Sequence, residues 1–295
     1  MKQGILAGIG AYLFWGLFPI YWKFLVEVPA LEILAHRMVW SLVVMLLILV
    51  LGRDRAWLNA ALRDRRVLLI YTLAAALLGV NWYTYIWAVN AGFVVESSLG
   101  YFINPLVSML FGVVFLKEHL RRGQLIAVSI AVAGVLYLTF SYGALPWIAL
   151  VLSMTFGLYG LIKKTAPLGS AHGFTLETLA LFLPAFAFLI LQEARGVGAF
   201  GHQGALTTAL LAFAGPVTSI PLLLFGVAAR RIPLSMVGFL QYIAPTGQFL
   251  LGVLAYHEPF PPTRLVGFAT IWVALAVYSL EGVIFNRRRV AEASA

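Results

Sequence analysis

Ten apolar runs, most of them about as long as a bilayer is thick, constrain this chain more than any other feature. They cover roughly residues 4–23, 31–51, 67–90, 94–116, 124–141, 144–162, 174–191, 205–226, 234–256 and 265–285. A helical crossing takes about 20 apolar residues, so ten use about 200 of the 295 present. Barrel strands need only about 10 residues with a period of two; these runs are mostly longer and do not alternate. The fold class is therefore an all-α integral membrane protein. Composition agrees: 62% of residues are apolar, 11% are charged and mean hydropathy is +0.95. A soluble domain runs near half apolar and a quarter charged, so a soluble enzyme, a coiled coil and a disordered chain are all excluded.

The net charge of +9 suggests nucleic acid on a soluble chain, but here it follows topology. With the N-terminus in the cytoplasm, 16 of the 20 Lys and Arg fall on that side. They include Lys2, five arginines between Gly52 and Arg66, Lys117, Arg121, Arg122, Lys163, Lys164, Arg230, Arg231 and Arg287–Arg289. Lys23, Arg195 and Arg264 fall outside, and Arg37 lies within the second run. This asymmetry satisfies the positive-inside rule and predicts both termini in the cytoplasm. The arginine loop can also touch anionic lipid heads, and nothing implies a nucleic-acid partner. Met1-Lys2-Gln3 enters an apolar stretch without a small-x-small cleavage site, read as a retained first helix. The absence of cysteine excludes disulfides, thiolate metal sites and thiol nucleophiles.

An internal repeat accompanies the ten runs. At a shift of 140 residues Pro105 meets Pro245, Gly112 meets Gly252 and Glu118 meets Glu258; at 141, Lys23 meets Lys164. Five helices per half is an odd number, so the second half enters the membrane inverted, as in transporter folds built around one central site. The expected division is 1–142 for the first repeat, 143–286 for the second and 287–295 for a cytoplasmic tail.

Charge within hydrocarbon is costly and points to function. Glu32, His36 and Arg37 open the second run; Arg37 lies about 9 Å into it at 1.5 Å per residue. Snorkelling accounts equally well for Glu32 and Arg37. Lys23, ending the first helix, either snorkels or offers a cation. Glu96 and Glu177 sit just inside the fourth and seventh runs, where a helix N-terminus favours a carboxylate. Glu177 takes the repeat position of Arg37, so the two either pair across the repeats or Glu177 titrates during transport. Lys23, His36, Arg37, Glu96 and Glu177 are the gating or coupling candidates; Glu118 and Glu258, at helix ends, read as structural. One His and one carboxylate fall short of a metal ligand set.

Tyr101, Pro105, Ser108 and Gly112 share one helical face, matched by Gln241, Pro245, Gln248 and Gly252. A mid-helix proline frees a carbonyl, tolerated beside a cavity or a helical neighbour. Pro105 and Pro245 are thus hinge candidates, although a small-residue packing seam gives the same pattern. Trp15, Asn81, Tyr85, Tyr101, Asn104, Gln241 and Tyr242 are the solute-contact candidates. Aromatic walls with a few amides and hydroxyls suit a small amphipathic organic molecule better than a bare ion. No Walker A loop, dinucleotide fingerprint, H-E-x-x-H or G-x-S-x-G motif is present, and no cofactor is implied.

The stretches YLFWGLFPIYWK (12–23), HRMVWS (36–41), NWYTYIWA (81–88), ESSLGYFINP (96–105) and QYIAPT (241–246) resemble RarD-type permeases. These belong to the EamA branch of the drug/metabolite transporter superfamily, and the likeness spans nearly all of 1–286. The resemblance implies ten helices in two inverted five-helix repeats, around a cavity lined mainly by the first, third, fourth, sixth, eighth and ninth. It also implies an inner-membrane permease, often linked to chloramphenicol sensitivity or resistance, with neighbouring families exporting amino acids and other metabolites. The sequence thus leads to a secondary active transporter, in the exporting direction, of small amphipathic organic solutes, with protons as the candidate drive. An enzyme acting on a lipid-linked substrate, or a facilitative channel, is the alternative; oligomeric state is not specified.

Overall fold

A computed structural model describes residues 1–52, 56–91, 93–143, 145–255 and 262–293. Its elements are α1 (Lys2–Gly16), α2 (Phe18–Lys23), α3 (Ala30–Leu51), α4 (Ala56–Arg63), α5 (Arg65–Asn90), α6 (Val94–Leu116) and α7 (Arg122–Tyr142). The chain continues through α8 (Trp147–Thr165), α9 (Ser170–Ala194), α10 (Ala205–Arg231), α11 (Leu234–Gln241), α12 (Ile243–Leu250), a π-turn (Leu251–Ala255) and α13 (Pro262–Ala293). No strand occurs among the described residues. Helices dominate because lipid offers no partner for backbone N–H and C=O, which must be satisfied within the segment.

Nine spans among the described residues are long and apolar enough to cross a membrane. The first joins α1 and α2, which part at Leu17 because Pro19 has no N–H to donate to the Trp15 carbonyl. That carbonyl instead accepts from Gln248 Nε2 at 3.2 Å. The ninth apolar run departs from a single helix: it divides at Tyr242, ahead of Pro245, and continues as α12 and the π-turn. Pro105, in contrast, sits inside an unbroken α6. The polar connection after Gly52 also differs from a plain loop. It contains α4, whose Trp57, Leu58 and Ala61 share a face packed on Val67, Tyr71 and Leu176. The basic tail from 287 continues α13 to Ala293.

The principal packings are α6 on α8, α7 on α13, α3 on α9 and α10, α1 on α10, α11 and α12, α11 on α6, and α5 on α8 and α9. Glycines set the closest approaches. A Cβ at Gly157 would lie 2.7 Å from Val107, and one at Gly238 2.6 Å from the Pro105 carbonyl. Large apolar side chains cover the outside, with Phe140 79% and Leu183 72% exposed. Such a surface requires lipid around it.

The two ends of the bundle differ. One gathers the basic residues and is tied by polar bonds: Arg231 to Gln3 at 2.6 Å, Arg230 to the Ala166 and Leu168 carbonyls, and Lys164 to the Ile232 carbonyl at 2.6 Å. At the other, the Ala199 amide donates to Glu32 at 2.6 Å and the Tyr21 hydroxyl donates to the Leu210 carbonyl.

Candidate functional site

A cavity of about 350 Å³ opens between the helices, displaced away from the basic end. Its walls come from α1, α2, α5, α6, α8, α10 and α12, with Arg37 contributed by α3 and Gln241 by α11. Trp15, Asn81, Tyr85, Tyr101, Asn104 and Gln241 are brought together there, with Pro245 at the rim of α12. The volume falls at the small end of organic-ligand pockets.

Several of these polar groups hold the wall itself. Asn81 Nδ2 donates to the Leu152 carbonyl at 2.8 Å and to Thr155 Oγ1 at 2.9 Å, joining α5 to α8. Ser108 donates to Gln241 Oε1 at 3.4 Å, joining α6 to α11. The Tyr12 hydroxyl and Asn104 Oδ1 are buried without a hydrogen-bond partner, and both residues line the cavity. Buried polar groups are rarely left so, which marks this part of the wall as unusual. Tyr85 and Tyr101 meet edge to face at 5.9 Å.

Arg37 is the charged residue among those lining the cavity. Its Nε donates to Thr218 Oγ1 at 3.0 Å. The guanidinium carbon lies 4.4 Å from the Trp82 ring centroid and 5.1 Å from that of Trp22. Sequence reasoning singled out the arginine but not its two indoles. Trp82 stands beside Asn81 in the NWYTYIWA stretch, yet helical spacing does not disclose which ring meets a cation. Phe156, Leu152 and Gln248 were missed as lining residues for the same reason.

The other expected residues lie elsewhere. Tyr242 is buried, and its hydroxyl donates to the Phe102 carbonyl at 3.2 Å; one residue past Gln241 is a 100° turn of helix, which takes it away from the cavity. His36 stacks on Phe200 at 5.1 Å and sits 3.9 Å from Glu32. Arg37 and Glu177 do not pair: Glu177 is fully buried between Lys163 at 2.8 Å and the Tyr159 hydroxyl at 2.9 Å. Lys23 ends α2 and is not among the lining residues. The Glu96 side chain and Glu258 lie outside the described residues.

Toward the basic end the cavity rests on packed side chains. Trp15, Phe156 and Phe225 form a cluster with centroid separations of 5.3–5.9 Å, and Tyr159 stacks on Phe225 at 5.8 Å. The Lys163–Glu177 pair follows. At the basic end Glu118 ties α6 to α11, its two carboxylate oxygens accepting from the amides of Leu234 at 2.6 Å and Ser235 at 2.9 Å. These are the first amides of α11, free to bind an anion at a helix N-terminus. Lys117 adopts a left-handed conformation (φ 54°) that ends α6 and turns Glu118 back. Gly112 leaves room for the carboxylate, since a Cβ there would lie 2.6 Å from Oε2. The sequence placed Glu118 at a helix end but carried no signal of its partner helix.

The chain matches the EamA-like transporter family over residues 2–140. Protein RarD of Streptomyces exfoliatus is 48% identical over 287 residues, covering 97% of this chain and 91% of that one. The uncharacterized transporter YojE of Bacillus subtilis (strain 168) is 47% identical, covering 97% and 96%. A solved crystal structure superposes with a TM-score of 0.72 over 95% of this chain and 97% of its own, at 18% identity. That likeness bears on the fold alone.

Proposed function

The chain belongs to the EamA-like transporter family, and from that membership and the cavity we propose that it moves small amphipathic organic solutes across the membrane by alternating access. It is a multi-pass membrane transporter of the RarD type, not an enzyme. The observation that carries the finer reading is the aromatic cavity shut toward the basic end. Amino acids, other metabolites and chloramphenicol-like drugs are the proposed solutes, and export is the proposed direction.

We read residues 1–142 and 143–286 as two inverted repeats, with the divided ninth run as a tenth crossing. What supports this is the packing itself. Exchanging the first five runs for the last five turns the α6–α8 contact into that of α1 with α11 and α12. It likewise turns α5–α8 into α1–α10, and α3–α10 into α5–α9, while α3–α9, α6–α11 and α7–α13 map onto themselves. A two-fold arrangement of this kind lets one half close what the other opens. The basic end is cytoplasmic in this reading, so the cavity faces outward and the Glu118 closure is the inner gate. Pro105 and Pro245 are the proposed hinges, and Lys23, His36 and Glu96 the proposed outer gating groups. A proton gradient is the proposed drive, with Glu177 the carboxylate beneath the cavity floor.

The test is a solute-binding screen on the purified protein, read by quenching of cavity tryptophan fluorescence. Solutes that bind the wild type should bind Asn81→Ala and Tyr101→Ala at least tenfold more weakly. Binding untouched by both substitutions places the solute elsewhere and refutes the site.

A further inference from the structure

Resting on the reading of the cavity as the solute site, we infer that the solute carries an anionic group, a carboxylate or its equivalent, received by Arg37 beneath an aromatic body. The cavity's charge decides this. Among its described lining residues Arg37 is the one charged side chain, and no carboxylate among the described residues lies within 4 Å of it. A guanidinium drawn out of water without a counter-ion is costly, and the fold compensates it incompletely. Thr218 takes one of its five N–H donors, while Trp82 and Trp22 attract it through their ring faces. Ring faces and one hydroxyl fix the plane of the guanidinium and leave its remaining N–H groups without a hydrogen-bond acceptor among the described residues.

A planar fork held that way suits a two-oxygen anion, which arginine binds through parallel hydrogen bonds. A cationic solute fits poorly: the aromatic walls attract it, but a fixed positive charge faces it and no described carboxylate answers it. A neutral solute leaves the guanidinium uncompensated. Tyr85, Tyr101 and Trp15 supply flat surface for a ring. At about 350 Å³ the space suits one or two rings with a short acidic arm. Anions of this form belong to the amphipathic class and exclude uncharged drugs from the best-bound members.

Three probes of one shape separate the possibilities: 3-phenylpropionate, 3-phenylpropionamide and 3-phenylpropylamine. Their binding to the purified full-length chain in lipid nanodiscs is measured by titration calorimetry at neutral pH. The acid should bind about tenfold or more tightly than the amide, as a charge-assisted fork exceeds a neutral contact, with the amine weakest. Arg37→Gln should bring the acid down to the level of the amide and leave the amide nearly unchanged. The comparison among probes on the wild-type chain decides the matter even if Arg37→Gln does not fold. If the three bind alike, or the amine binds best, and Tyr101→Ala weakens all of them, the anion assignment is overturned while the cavity remains the solute site. If none binds, or Tyr101→Ala changes nothing, the cavity reading falls and the anion assignment with it.

Discussion

Replacing Glu118 by alanine removes both acceptors that hold the first two amides of α11 to the end of α6. Each is a charge-assisted bond, worth about 1.5 kcal/mol or more when its donor is shielded. Lys164, 4.0 Å from the carboxylate and 21% exposed, adds little once solvent screening is counted. Opening returns the freed amides to water, so a net loss of about 2 kcal/mol is the expectation, in line with the loss of a strong helix cap. If this closure belongs to one state only, a loss of that size raises the open population about thirtyfold. The chain contains no cysteine, so a single introduced thiol reports cleanly. Ala228, fully buried near the closed end, is replaced by Cys, and its rate of modification by a water-soluble maleimide is compared with and without Glu118→Ala. Leu211→Cys, equally buried near the opposite end of α10, is the control. The Ala228→Cys rate should rise about thirtyfold while the Leu211→Cys rate holds. An unchanged rate at Ala228→Cys, or an equal rise at both, refutes the gate: the first means no closure is released, the second that the whole bundle has loosened.

Three further outcomes follow from side-chain environments. Lys163→Met leaves Glu177 buried without its cation and should cost about 3 kcal/mol, read as a lower melting temperature in nanodiscs; adding Glu177→Gln should restore most of it. Thr218→Val takes the acceptor from Arg37 Nε and should weaken solute affinity about fivefold, from roughly 1 kcal/mol, with little change in melting. Gly238→Ala places a methyl 2.6 Å from the Pro105 carbonyl and should push α11 off α6 at a cost of about 1–3 kcal/mol, seen as lower thermal stability.

The helices were legible in the sequence because lipid leaves the backbone no other choice, and apolar length alone marks them. The breaks were less so. Pro19 and Pro245 each follow a helix end, yet Pro105 interrupts nothing, so a proline in the sequence does not by itself locate a break. Residue type pointed to Asn81, Tyr85 and Tyr101, which the fold brings into one cavity. The same reasoning placed Tyr242 with Gln241, although adjacent residues on a helix face apart. Pairing was the least legible property. Repeat positions suggested Arg37 with Glu177, but Lys163 stands fourteen residues from Glu177 in sequence, on the preceding helix, and reaches it first. Arg37 is left to Thr218 and two indoles, contacts between distant segments that no local pattern encodes.

Counterflow in proteoliposomes tests alternating access through the cavity most directly. Vesicles loaded with an excess of an unlabelled solute that binds the purified chain are diluted into a trace of the labelled one. Transient accumulation of label is expected with the wild-type chain, and its loss with Tyr101→Ala. Label that only equilibrates, or accumulates equally with Tyr101→Ala, contradicts a carrier working through this site.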